Sequence, residues 1–193
     1  MVESVEQHYG NDGIVDRIVG ALTQSGFDME NLDPDVLAGA DEFHIGGREG
    51  TVHVASAINL ADGDALLDVG CGIGGAARYL AHTTRASVTG VDLTPEFIEA
   101  AIKLSDLVGM GGQINFKVGS ATELPFMDNM FDAVTMLHVG MNIEDKNQLM
   151  RELARVCRSQ GTVVIYDVTT TGTDDLPYPM PWSSTSEFSF PEP

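Results

Sequence analysis

Basic residues are scarce in this chain. Its 10 lysines and arginines face 29 acidic residues, a formal charge of −19 over 193 residues. Nucleic acids and anionic membranes are held by clustered positive charge, so neither is expected as a partner. The plain reading of the acidic surface is solubility. Cysteine is nearly missing: Cys71 and Cys157 make no disulfide framework. No Cys or His pair has the spacing of a metal site, so no metal is expected. Long apolar runs are missing too, and nothing reaches the ~18 residues that a membrane span needs. Residues 1–10 are acidic and lack an apolar stretch, which argues against a signal peptide. A cytoplasmic protein is the expectation.

What is present suits a single domain over residues 1–193, with a sizeable core. Residues 1–60 read as a helical extension or lid, 61–168 as an alternating strand–helix core, and 169–193 as a proline-rich tail. In the extension, Ile14, Val15, Ile18, Val19 and Leu22 form the apolar stripe of a helix over 11–25, with Asn11 or Asp12 as its cap. Asp33 and Pro34 start a short helix. The stretch 41–47 is turn-rich, and a longer helix over 48–60 places Val52, Ala55 and Ile58 inward.

The core predicts strands near 65–69, 87–91, 113–118, 131–137 and 161–166. Thr94 caps and Pro95 starts the second core helix, with Ile98, Ala101, Ile102 and Val108 inward. A later helix over 144–157 buries Leu149, Met150 and Leu153, and Ser159–Gly161 turns into the fifth strand. Strands alternating with helices imply a three-layer α/β sandwich with a parallel sheet, in order 3-2-1-4-5 with right-handed crossovers. Pro177, Pro179, Pro181, Pro191 and Pro193 keep the tail out of regular structure.

The chain is organised around residues 66–80, where an apolar strand enters a glycine turn and then an Ala-rich helix. Gly70, Gly72 and Gly75 satisfy G-x-G-x-x-G, which lets a backbone approach a nucleoside ligand closely. Asp92, ending the next strand, suits the two ribose hydroxyls. The turn by itself admits a dinucleotide or another nucleoside. Asp68 separates them, because a carboxylate attracts an ammonium group and repels a pyrophosphate.

These residues resemble the class I S-adenosylmethionine-dependent methyltransferases. Further marks in the family's order are Val91-Asp92-Leu93, Gly119-Ser120-Ala121 through Leu124-Pro125-Phe126, Phe131-Asp132-Ala133-Val134 and Ala154-Arg155-Val156. Residues 74–80, 138–146, His8-Tyr9-Gly10 and Phe43-His44-Ile45-Gly46 look most like the sarcosine/dimethylglycine N-methyltransferases, in a branch shared with ubiquinone/menaquinone methyltransferases. The resemblance implies a Rossmann-like fold, S-adenosylmethionine as cofactor and a small-molecule acceptor, an amine being one option. It implies that Asp68, Gly70, Cys71 and Gly72 meet the donor's methionine end, Asp92 its ribose, and Leu93, Ser120 and Ala121 its adenine, with Leu137 in the same set. Ser120 stands where the family usually has an acid, a weaker acceptor. His138 is the candidate to orient the acceptor or take its proton, with Tyr9 and His44 as further acceptor contacts; Tyr178 and Trp182 could line the same site. The family's sheet adds two more strands, so the chain reads as truncated before them, with an exposed fifth strand through which a homodimer could form. Two alternatives stay open: an NAD-dependent oxidoreductase, and a non-catalytic S-adenosylmethionine-binding fragment.

Overall fold

The computed structural model describes residues 13–170, 178–180, 183–186 and 189–191. Strand β1 (Ala65–Val69) is apolar on both faces apart from Asp68, and such a strand is stable only in the middle of a covered sheet. It lies between β2 (Ser87–Asp92) and β4 (Phe131–Leu137), and β3 (Ile114–Val118) and β5 (Cys157–Tyr166) flank these in the order β3-β2-β1-β4-β5. Every pairing is parallel, with Leu67 opposite Thr89 on one side and Val134 on the other. The expected order and Rossmann-like layering are therefore observed.

Alternating side chains split the core in two. Leu66, Val88 and Ala133 face one layer, made by α1 (Ile14–Gln24), α3 (Gly47–Ser56), α4 (Gly75–Thr84) and α5 (Pro95–Leu107). Leu67, Val91, Val134 and Met136 face α6 (Lys146–Val156), which buries Leu149, Leu153 and Val156. Between α1 and α3 run a 3-10 turn (Pro34–Leu37) and the short α2 (Ala38–Asp41). Among the described residues no helix is long and apolar enough to cross a membrane, and no further strand pairs with the outer edge of β5.

Several local expectations are corrected. Helix α1 starts after Gly13 in the left-handed conformation, with no side-chain cap; Asn11 and Asp12 lie outside the described residues. Helix α3 stops at Ser56, four residues short of Leu60, and Val52 on it is exposed. Thr94 does not cap α5 through its side chain. Its own N–H donates to Asp92 Oδ1 at 2.9 Å, which ties the residue before the helix to the strand-end carboxylate. Ile102 and Met150 point to solvent rather than inward. Helix α6 begins after Asp145, whose carboxylate accepts from the Gln148 N–H at 2.8 Å, not at Glu144. Ser159–Gly161 is no free turn: β5 already starts at Cys157, and a register shift against Phe131–Ala133 absorbs the extra residues. Gln160 takes a φ of 71° there.

Candidate active site

The glycine turn is shaped by three close approaches. The N–H groups of Gly70 and Cys71 donate to Val91 O at 2.7 and 3.0 Å, which ties the end of β1 to the end of β2. Gly70 has φ 72°, and a Cβ there would collide with the Val139 side chain. Gly72 has φ 54° with open space where a Cβ would stand. Gly75, the last fingerprint glycine, makes room for the chain rather than for a ligand. A Cβ on it would meet Asp41 O at 2.5 Å and Asp41 Oδ1 at 2.8 Å. The segment 41–47 therefore straps across the start of α4. Gly75→Ala is expected to destabilise the fold by about 1–3 kcal/mol, because the clashing atoms are backbone. A urea unfolding midpoint unchanged from wild type would contradict the strap contact.

The strap is held by charge. Arg78, fully buried on α4, donates from Nη2 to Asp41 Oδ2 at 2.6 Å and to Ile73 O at 2.8 Å. Its Nη1 donates to Ser105 Oγ at 3.0 Å. Burial pushes the Asp41 carboxyl up, and the Arg78 guanidinium pulls it back down.

Two carboxylates stand at the carboxyl ends of β1 and β2, where ligands of open parallel sheets bind. Asp68 is 1% exposed, and its Oδ1 accepts from Thr135 Oγ1 at 2.9 Å. Its Oδ2 is buried without a partner among the described residues. Burial pushes the Asp68 carboxyl up to about 7; the Thr135 hydroxyl opposes the rise and the Asp92 charge adds to it. Asp92 accepts from the Gly72 N–H through Oδ2 at 2.9 Å and from Thr94 N–H through Oδ1. Burial raises it too, against those N–H groups. The Cys71 thiol is pushed far up by burial and then by both carboxylates, so it is no nucleophile.

Two histidines and a tyrosine meet beside β4 and β5. His138 has a φ of 55°, a conformation that residues with side chains adopt mainly where the surroundings impose it. Its N–H donates to Tyr166 O at 2.8 Å. Its ring lies 5.6 Å from the Tyr166 ring and 5.9 Å from that of His44. Burial, helped by the nearby His44, pushes the His138 imidazole down to about 4. His44 Nε2 lies 3.0 Å from Thr51 Oγ1, which donates to the buried Glu42 carboxylate at 2.8 Å.

Both strand-end carboxylates and both histidines open onto one cavity of about 980 Å³. Asp68, Gly70, Cys71, Gly72, Asp92 and Leu93 line it. Ser120, Ala121, Leu137, His138 and His44 line it as well. Tyr178 is not on its wall, and Tyr9 and Trp182 lie outside the described residues. Sequence reasoning missed Thr135, Asn142 and the Asp41–Arg78 pair. A threonine inside the apolar run 131–137 was a usable signal for the first. The pair had none, because its members are 37 residues apart.

Known proteins resemble this chain. Residues 67–165 match the family model described as Methyltransferase domain. Methyltransferase GfsG of Streptomyces halstedii is 33% identical over 148 residues, covering 77% of this chain and 50% of that protein. Ajmaline N-methyltransferase of Rauvolfia serpentina is 35% identical over 100 residues, covering 52% of this chain and 34% of that protein. The structure of Haemonchus contortus phosphoethanolamine N-methyltransferase 2 in complex with S-adenosyl-L-methionine superposes with a TM-score of 0.62 at 23% identity, a likeness of fold covering 85% of this chain and 35% of that one. The chain spans half or less of the length of these two curated relatives.

Proposed function

The chain belongs to the methyltransferase domain family, and from that premise we propose that it binds S-adenosylmethionine and methylates a small-molecule amine. The observation that carries the reading is Asp68 Oδ2, a buried carboxylate oxygen without a partner on the cavity wall. A buried acceptor left unpaired is costly. A ligand ammonium group satisfies it, whereas the pyrophosphate of a dinucleotide is repelled by it. The same observation weighs against an NAD-dependent oxidoreductase.

The other residues fit the same donor. Asp92 has lone pairs left for ribose hydroxyls beyond the two N–H groups that it holds. Leu93, 43% exposed on the cavity wall, offers an apolar face to the adenine. Ser120 and Ala121 sit beside it for the ring's polar edge, and the bare side of Gly72 lets the backbone come close. When bound, S-adenosylmethionine supplies a sulfonium methyl; the amine lone pair takes it, the C–S bond breaks, and the amine's proton leaves to water. The protein's part is positioning and water exclusion more than proton storage. His138, neutral over the physiological range with its value near 4, is too weak a base to keep that proton and bounds the acceptor side of the cavity by shape. The N-methyltransferases among the relatives and the attraction of cations by an acidic surface favour an amine.

Calorimetric titration with S-adenosylmethionine, S-adenosylhomocysteine and NAD tests the donor. Binding of the first two without NAD is expected, and tighter binding of NAD overturns the proposal. Asp92→Ala should weaken S-adenosylmethionine by about 1.5–3 kcal/mol for each ribose hydrogen bond lost. Unchanged affinity in a folded variant refutes the ribose assignment. Release of S-adenosylhomocysteine in the presence of an amine separates an enzyme from a binding fragment.

A further inference from the structure

The cavity, at about 980 Å³, stands at the top of the ~300–1,000 Å³ range of small-molecule sites. A donor of nucleoside size leaves room in it for a sizeable second molecule. Its wall is of two kinds. The donor residues proposed above come from the ends of β1, β2 and β3. The remaining wall comes from α1, the strap and the turn after β4, and much of it is apolar. Ile14, Ile18 and Leu22 on α1 contribute to it, as do Phe43 and Ile45 on the strap. Phe43 and Ile45 are 68% and 58% exposed, although both line the cavity. Large bare apolar side chains at the mouth of a cavity mark a surface that a ligand covers.

This wall is poorly built for a small zwitterion. Among the described residues the one Lys or Arg side chain on the cavity is Arg17, and it is not free. Asp68 and Asp92 are also on the wall and oppose a further carboxylate. The unpaired acceptors tell more. Three residues of the wall carry a buried oxygen with no partner among the described residues: Asp41 Oδ1, Asp68 Oδ2 and Asn142 Oδ1. Asp41 is neutralised by Arg78, and its Oδ1 faces Gly75. Asp68 is claimed by the donor. Asn142 ends the 3-10 turn Gly140–Asn142, four residues beyond His138. That turn is pinned from behind, since the Met141 N–H donates to Asp167 Oδ2 at 3.2 Å and Phe190 N–H donates to Met141 O at 2.6 Å. Asn142, a residue of the cavity wall, thus sits on a fixed turn, with an acceptor that nothing among the described residues uses.

We infer that the acceptor is an amine with a bulky apolar body and a single N–H, which lies against Phe43, Ile45 and α1 while Asn142 Oδ1 accepts its N–H. This rests on the methyltransferase reading above. Taking up the N–H fixes the direction of the nitrogen lone pair, which is what an in-line displacement demands. Small amino-acid acceptors such as sarcosine are excluded, because their carboxylate finds no free cation and their volume leaves the apolar wall wet.

The test uses the full chain, with S-adenosylhomocysteine affinity measured first. 9-Methyl-1,2,3,4-tetrahydro-β-carboline, an apolar secondary amine whose one N–H is the amine's own, and sarcosine are then titrated into the loaded and the unloaded protein. The carboline should bind and sarcosine should not. Asn142→Leu should weaken the carboline about tenfold, the value of one hydrogen bond, while S-adenosylhomocysteine affinity stays at wild type. Asn142→Asp, which keeps the acceptor, should restore the binding. Phe43→Ser, at a position too exposed to matter for folding, should weaken the carboline several-fold. Preference for sarcosine, no binding of the carboline, or unchanged carboline affinity in Asn142→Leu overturns the inference. Failure of S-adenosylhomocysteine to bind overturns the donor reading instead, and the titration of the unloaded protein still decides the acceptor class.

Discussion

Asp68→Asn is expected to lower S-adenosylmethionine affinity by about 2–5 kcal/mol, the cost of removing one partner from a buried charged hydrogen bond. The same change should stabilise the empty protein at alkaline pH. The Asp68 carboxyl titrates near 7 in the folded chain, against an ordinary 3.8. The folded state therefore keeps this proton to higher pH than the unfolded one. Stability linked to Asp68 is full below 3.8 and is lost as pH rises through about 7. Wild type should thus lose melting temperature relative to the variant across that window, and above it the ligand-free variant should melt higher. Donor affinity runs the other way, because the ammonium needs the carboxylate: below about pH 7 it should fall ~tenfold per unit in wild type and stay flat in the variant. Calorimetric titration and scanning calorimetry at about pH 6 and pH 8 read both arms. A variant that binds the donor as wild type does removes Asp68 from the site.

Arg78→Leu should cost about 3–5 kcal/mol of stability, the usual effect of leaving one member of a buried ion pair behind. Arg78 is 2% exposed and holds Asp41, Ile73 O and Ser105 together, so it links the strap, the glycine turn and α5. Without it, Asp41 is a buried carboxylate whose main opposing charge is gone. The double variant Asp41→Leu/Arg78→Leu should recover much of the loss, since apolar side chains can replace a buried pair at little net cost. Urea unfolding of the two single variants and the double one measures the coupling. Simple additivity of the single effects would show that the pair does not hold the strap.

The strands were legible because their pattern is strong. Five short apolar runs alternate with helices, and 65–69, 131–137 and the start of β2 coincide with expectation. Helix ends were less legible. Glu144 looks like a good starting residue, yet Asp145 holds the free N–H of Gln148 instead. Both are carboxylates, and the sequence does not say which neighbour will reach. Ile102 and Met150 were misplaced inward because apolar character was read without the direction of the helix face. The Ser159–Gly161 bend became part of β5 because Cys157 and Thr162 on either side of it pair with β4, which leaves the bend as a bulge within the strand.

Local chemistry by itself determined the glycine turn, its two acidic neighbours and the parallel alternation, because each depends on residues within a few positions of one another. Only the tertiary structure decided what those groups feel and meet. The carboxylate of Asp68 is raised by burial between β2 and β4, and burial is set by the whole sheet. His138 and His44, 94 residues apart in the chain, face each other across β5 and the strap. Gly75 reads as a ligand glycine in sequence and serves Asp41 in space. The apolar wall of α1 and the unused oxygen of Asn142 become a site only where distant segments enclose one volume, and no pattern of neighbours encodes that enclosure.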